Sequence, residues 1–154
     1  MKGYWKNQAA TDAIMTADGF LRTGDVAIMD EDGYVFIVDR IKDMLLCGGY
    51  NVYPRNIEEA IYQHPSVNEV CVIGVPDTYR GESPKGFITL KAGEAEFTLD
   101  ELKAFLKDKL GKHEMIGHIE FRTELPKTPV GKIQKAVLVE EEAKKRAEAA
   151  PAAV

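Results

Sequence analysis

The chain has 154 residues, of which 45% are hydrophobic and 29% charged, with 13 Gly and 7 Pro. Those proportions exclude collagen-like and disordered classes, and a chain of this length buries about 68–70% of its unfolded surface without help from a disulfide or a metal. The net charge of −5 leaves no basic footprint for nucleic acid, and no run approaches the ~20 apolar residues of a membrane span.

The opening Met1-Lys2-Gly3-Tyr4-Trp5 carries the only Trp, yet no periodic element follows to bury it. The expectation is a piece of a longer protein. Phe20–Thr23 and Val26–Met29 read as β structure, and Asp32-Gly33 before Tyr34–Val38 is a hairpin signal, because glycine adopts the positive φ of a tight turn. Asp39-Arg40-Ile41-Lys42-Asp43 holds four charges in five residues and reads as a boundary. Met44-Leu45-Leu46 is a strand running into the glycine turn Cys47-Gly48-Gly49-Tyr50. Pro54 suits the first turn of a helix whose Ile57, Ala60, Ile61 and His64 share one face, and Pro65 stops it.

Val67–Val75 and Phe87–Leu90 are buried-strand candidates. Thr98 and Glu101 form a capping box, with Phe97 and Leu102 at the staple positions. Leu99, Leu102, Leu106 and Leu110 make the apolar face of that helix, which Gly111 ends. Ile119–Phe121 is a short strand, and Gln134 to Ala150 is a charged helix that frays into Pro151–Val154. The order after Pro54 implies an α+β class, with helices layered on a small β-sheet.

Local chemistry is incomplete on spacing alone. Cys47 and Cys71 form no CxxC pair and read as reduced cytosolic thiols, Cys71 as core packing. His113 and His118 lack the His-Glu-x-x-His spacing, so no metal site is expected. Gly131-Lys132 and Gly111-Lys112 are followed by Ile133 and His113 rather than Ser or Thr, which excludes a Walker A loop. Taken alone, Lys132 is an exposed lysine on a loop stiffened by Pro126 and Pro129, Gly48-Gly49 a tight turn, and Thr23-Gly24-Asp25 a strand-end turn.

Read together, four segments resemble the C-terminal part of the adenylate-forming superfamily, which includes acyl-CoA synthetases, peptide-synthetase adenylation domains and luciferases. They are Gly19–Asp25; Asp39–Asp43 running through Gly49-Tyr50-Asn51-Val52-Tyr53-Pro54; Val75-Pro76-Asp77 with Gly81-Glu82 and Pro84-Lys85; and Pro126–Ile133. The resemblance implies a two-step reaction: a carboxylate attacks the α-phosphate of ATP to give an acyl-adenylate, and the thiol of CoA then displaces AMP. ATP with magnesium and CoA are the small molecules it implies, and the chain's own large N-terminal domain is the implied partner.

Residue by residue, Lys132 matches the adenylation lysine, a cation placed between a carboxylate and a polyanion. Asp25 matches the acid that accepts both ribose hydroxyls, and Arg40 a nearby nucleotide contact. Lys42 matches the hinge about which the lid turns. Gly48, Gly49 and Tyr50 match the loop that lines the pantetheine tunnel, where a side chain at Gly49 would block the thiol.

Some positions depart from the family pattern: Asn56 stands where Glu is usual, though Glu58 is kept; Ile116 replaces a common Pro, Val130 a Ser and Lys135 an Arg. The implied layout is residues 1–38 as the end of the large domain in a β-hairpin stub, 39–43 as hinge, 44–150 as lid and 151–154 as tail. The expected role is the C-terminal domain of a cytoplasmic acid–CoA ligase of fatty-acid type, inactive alone, with peripheral membrane association of the parent left open. A stand-alone non-catalytic binding or regulatory module and the lid of a peptide-synthetase adenylation domain are the alternatives.

Overall fold

The computed structural model describes residues 1–149; the side chain of Ala149 and the sequence expectations for Ala150 and the 151–154 tail lie outside the described residues. The chain divides into two compact units, Met1–Lys42 and Asp43–Val154.

In the first unit, α1 (Gln8–Ile14) is a helix that hydrophobic periodicity did not reveal. Polar contacts start it instead: the Asn7 side chain accepts the Ala10 N–H at 3.0 Å, and Thr11 Oγ1 accepts the Tyr4 N–H at 2.9 Å. Phe20–Thr23, expected as β, contributes only an isolated bridge between Met15 and Leu21. Strands β1 (Asp25–Met29) and β2 (Val35–Arg40) pair antiparallel. The Asp30 carboxylate shapes their turn by accepting the N–H groups of Asp32 and Tyr34, and Gly33 takes φ +86°. Both faces of this ribbon are open: Ile28, Met29, Tyr34, Val35, Phe36 and Ile37 are all more than half exposed. A lone two-stranded ribbon has no layer to bury them against.

The second unit holds a five-stranded sheet. Strands β3 (Leu45–Cys47), β4 (Tyr50–Val52), β5 (Val67–Asp77) and β6 (Gly81–Leu90) lie in the order β4-β3-β6-β5, and β7 (His118–Phe121) runs parallel to β6. Sequence reading anticipated β3 and the turn after it but not β4, which is three residues long, and it started β6 late. Gly81–Lys85 lacks the apolar density of Phe87–Leu90, yet it completes the antiparallel register with Asp77 through Ile73.

The run Val70–Val75 is continuous in hydrophobicity because both faces of β5 are covered. Val70 and Val72 enter a cluster with Ile57, Ile61, Leu102, Leu106 and Ile116, while Cys71, Ile73 and Val75 enter a second with Phe87, Leu125 and Leu138. Helices α2 (Pro54–Tyr62) and α3 (Leu99–Leu106) supply the first layer, and α4 (Lys135–Ala149) the second. The α3 capping box forms as the sequence indicated, Thr98 Oγ1 accepting the Glu101 N–H and Glu101 accepting the Thr98 N–H. The helix ends at Leu106, short of Leu110, and Lys107 is its C-cap. The fold is therefore α+β, a hairpin followed by helices packed on a small sheet. No helix among the described residues is long and apolar enough to cross a membrane.

Candidate functional site

In the first unit the register of the hairpin sets Asp25 directly opposite Arg40. The guanidinium Nε sits 3.4 Å from the Asp25 carboxylate, which is one-quarter exposed. The Asp25 N–H donates to Thr23 Oγ1 at 3.2 Å, and the Ile41 N–H donates to the Gly24 carbonyl at 2.8 Å. Arg22, Thr23, Gly24, Arg40, Ile41 and Lys42 line a hollow of about 510 Å³ beside this pair. Two residues singled out for nucleotide contact are thus neighbours, and Lys42 lies in the 3₁₀ turn Ile41–Asp43 that closes the unit.

In the second unit the turn between β3 and β4 contains only Gly48 and Gly49, since Cys47 pairs with Tyr50. Their φ values are +60° and +83°, the two consecutive positive angles of a type I′ hairpin. The turn therefore requires glycine-like conformations whatever else the loop does. A Cβ at either position would meet no atom within 4 Å, so the loop's outer surface is open.

Around this turn, Cys47, Gly48, Tyr50, Tyr79, Arg80, Lys112 and His113 enclose a hollow of about 520 Å³. The Gly48 N–H donates to the Arg80 carbonyl at 2.7 Å. The Arg80 guanidinium donates to the carbonyl of His113 at 3.0 Å, and the His113 ring stacks on Tyr50 at 4.9 Å. The Asp77 carboxylate accepts the N–H groups of Arg80 and Tyr79, which hold its pKa below the usual range and fix the turn carrying Arg80. Cys47 forms the floor; burial pushes its thiol up, with Arg80 opposing.

Lys132 lies elsewhere in this unit. It stands on the return arm of a tight turn closed by Thr128 N–H to Lys132 O at 2.8 Å, Gly131 N–H to Thr128 O at 2.8 Å and Lys132 N–H to Thr128 Oγ1 at 3.1 Å. The side chain is exposed, and its amine has no ion-pair partner among the described residues. The flanking lysines differ: Lys127 is bound to Glu69 at 2.7 Å and Lys135 to Glu58 at 2.9 Å.

The structure thus brings Asp25 to Arg40 and gathers Gly48, Gly49 and Tyr50, but keeps Lys132 apart from that glycine hollow. The Lys132 turn is tied to β5 at one edge of the sheet, and the glycine turn caps β3 and β4 at the other. Sequence reasoning missed Arg80, Lys112 and His113 as a group. Each lies within two positions of a glycine, in Arg80-Gly81 and Gly111-Lys112-His113, and that proximity was the available signal. No three His, Cys, Asp or Glu side chains among the described residues gather to hold a metal ion.

Comparison with known proteins places these features in context. The family model for the AMP-binding enzyme C-terminal domain matches residues 56–132. A long-chain-fatty-acid–CoA ligase of Bacillus subtilis is 50% identical over 142 residues, which is 92% of this chain and 25% of the relative. Among solved structures, ATP-bound MatB from Rhodopseudomonas palustris superposes with a TM-score of 0.82 at 38% identity, over 91% of this chain and 28% of that one. The o-succinylbenzoate CoA synthetase MenE from Bacillus subtilis, in complex with its acyl-adenylate intermediate, gives 0.82 at 29% identity, covering 90% and 28%. The chain spans about a quarter of the length of the curated relatives it matches.

Proposed function

Because the chain belongs to the AMP-binding enzyme C-terminal domain family, we propose that it serves as the hinge and lid of an ATP-dependent acid–CoA ligase acting on long-chain fatty acids. The names of the relatives support the fatty-acid type. The exposed apolar ribbon β1–β2 supports a large partner domain, since six large apolar side chains in one hairpin form a surface that a monomer seldom leaves bare.

The observation that carries the reading is the contrast among three lysines of one segment. Lys127 and Lys135 are neutralised by carboxylates, while Lys132 between them presents from a stiff turn an amine with no ion-pair partner among the described residues. In adenylation a carboxylate anion must approach the α-phosphate, and a cation held ready lowers the barrier without reorganising during the reaction. Lys132 would bridge those oxygens. Asp25 would accept the ribose hydroxyls, with Arg40 beside it to orient the carboxylate. Of these groups, Lys132 stands at the β5 edge of the sheet.

Transfer to CoA would use the other edge. The glycine turn leaves backbone where a pantetheine arm must pass, and Arg80, Lys112 and His113 suit the phosphates of CoA. Two functional loops on opposite edges of one sheet cannot face one active site together, which gives a turn of the lid at Lys42 a physical purpose.

The test separates the half-reactions. In the full-length ligase, Lys132→Ala should lower adenylation, followed by pyrophosphate exchange, by about 10²–10³. Thioester formation from supplied acyl-adenylate should persist. Equal loss in both would make Lys132 structural. The isolated chain should release no pyrophosphate with acids from acetate to palmitate, and turnover by it would overthrow the lid assignment.

A further inference from the structure

The turn that carries Lys132 is held at both stems. On the outgoing stem, Leu125 is fully buried in the cluster under α4, and the Lys127 amine pairs with Glu69 of β5 at 2.7 Å. On the return stem, Ile133 packs against the same cluster, and the Lys135 amine pairs with Glu58 of α2 at 2.9 Å. Glu58 Oε1 also accepts the N–H of Val72 at 2.8 Å, so it is itself fixed to the edge of β5. The stems are joined by the bridge between Lys127 and Ile133 and by the Gln134 N–H donating to the Pro126 carbonyl at 2.8 Å. Each carboxylate therefore ties one side of the turn to a single strand, and Lys132 lies between the two ties.

We propose that Glu69 and Glu58 are positioning residues for Lys132, acting through Lys127 and Lys135 to set the turn against β5. The proposal rests on the adenylation role given above to Lys132. Neither carboxylate touches substrate. A lysine on a long flexible stem reaches a reacting oxygen reproducibly only if its Cα is fixed, and small displacements of a catalytic group cost large factors in rate. The ion pairs are one-sixth to one-third exposed, so their loss should cost the fold little. Their effect should fall on the chemistry that Lys132 serves.

The experiment uses the full-length ligase and both half-reactions, with Lys132→Ala measured alongside. Lys127→Ala and Glu69→Ala should each lower kcat of adenylation by about tenfold, with little change in KM for ATP and none in transfer from preformed adenylate. The exchanged pair, Glu69→Lys with Lys127→Glu, should recover most of the loss. Glu58→Ala would strip a backbone N–H of its partner and endanger the fold, so the second tie is tested at Lys135. There Lys135→Met should reproduce the adenylation defect and Lys135→Arg should restore it.

Parallel loss in both half-reactions, or a failed exchange, would overturn the positioning role. Full adenylation in the Lys127, Glu69 and Lys135 variants, while Lys132→Ala is crippled, would overturn this inference alone. Full adenylation in Lys132→Ala would overturn the reading beneath it as well.

Discussion

Glu120 on β7 joins three elements through charge, and replacing it should reveal how α4 is held. Its carboxylate lies 2.9 Å from Lys85 of β6, 2.7 Å from Arg122 and 2.8 Å from Lys145 of α4. Lys85 and Arg122 reach on to Glu142 and Glu141 of the same helix. Burial alone would raise the Glu120 pKa, but hydrogen bonds from Lys145 and Lys85 and the nearby Arg122 charge outweigh it and bring the value from 4.5 down to about 2. A carboxylate whose pKa is depressed in the folded state stabilises above its unfolded pKa and loses that contribution as pH falls through the folded one. At 1.4 kcal/mol per pH unit the displacement sets a ceiling of roughly 3 kcal/mol, and partial exposure brings the expectation nearer ~2.

Glu120→Gln keeps the shape, removes the charge and strands Lys145. In urea titrations at pH 7 it should lose ~2 kcal/mol, equivalent to about 8 °C in Tm for a unit of this size. The gap between the two proteins should narrow from pH 4.5 downward and close near pH 2. A difference below ~0.5 kcal/mol at pH 7 would place the network among surface pairs of no consequence. A gap that persists unchanged at low pH would show that the effect is not the carboxylate's charge.

At the glycine turn, Gly49→Leu should cost ~1–2 kcal/mol in chemical denaturation through its φ of +83° alone, whereas Gly49→Asn should be nearly neutral. In the full-length ligase Gly49→Asn should then spare adenylation and slow transfer to CoA, and equal rates in both steps would place the loop away from the thiol. Cys71 is buried, which pushes its thiol up to about 12, so it should resist a disulfide reagent at pH 8 until the chain is unfolded in urea. Rapid labelling of Cys71 in the folded chain would contradict the packing of the second cluster.

Much of the second unit was legible because its signals are local. Thr98 and Glu101 stand three positions apart and announce α3, and Val70–Val75 shows a strand with two covered faces. The elements that escaped were those stabilised by something other than their own periodicity. Helix α1 is seven residues started by polar contacts, and β4 exists because a two-glycine turn folds it back on β3. The first half of β6 is a strand because β5 is there to pair with it.

The candidate site divides along the same line. Lys132, Asp25 and Gly49 could be picked out because each sits in a short motif that resembles a family pattern. Their surroundings could not. Arg80 is joined to the hollow's far wall by its hydrogen bond to the His113 carbonyl, and His113 by its stack on Tyr50, contacts between segments with no shared periodicity. Glu58 and Lys135 drew notice only as one kept and one altered position, and nothing in the sequence joins them. Folding does, by laying α2 and the start of α4 against one strand. Under the proposed role of Lys132, the motif says which amine can act, while the distant carboxylates decide where that amine stands. An altered Lys135 retains function to the extent that its shorter, single-pointed cation still reaches Glu58, which the Lys135→Arg variant measures directly.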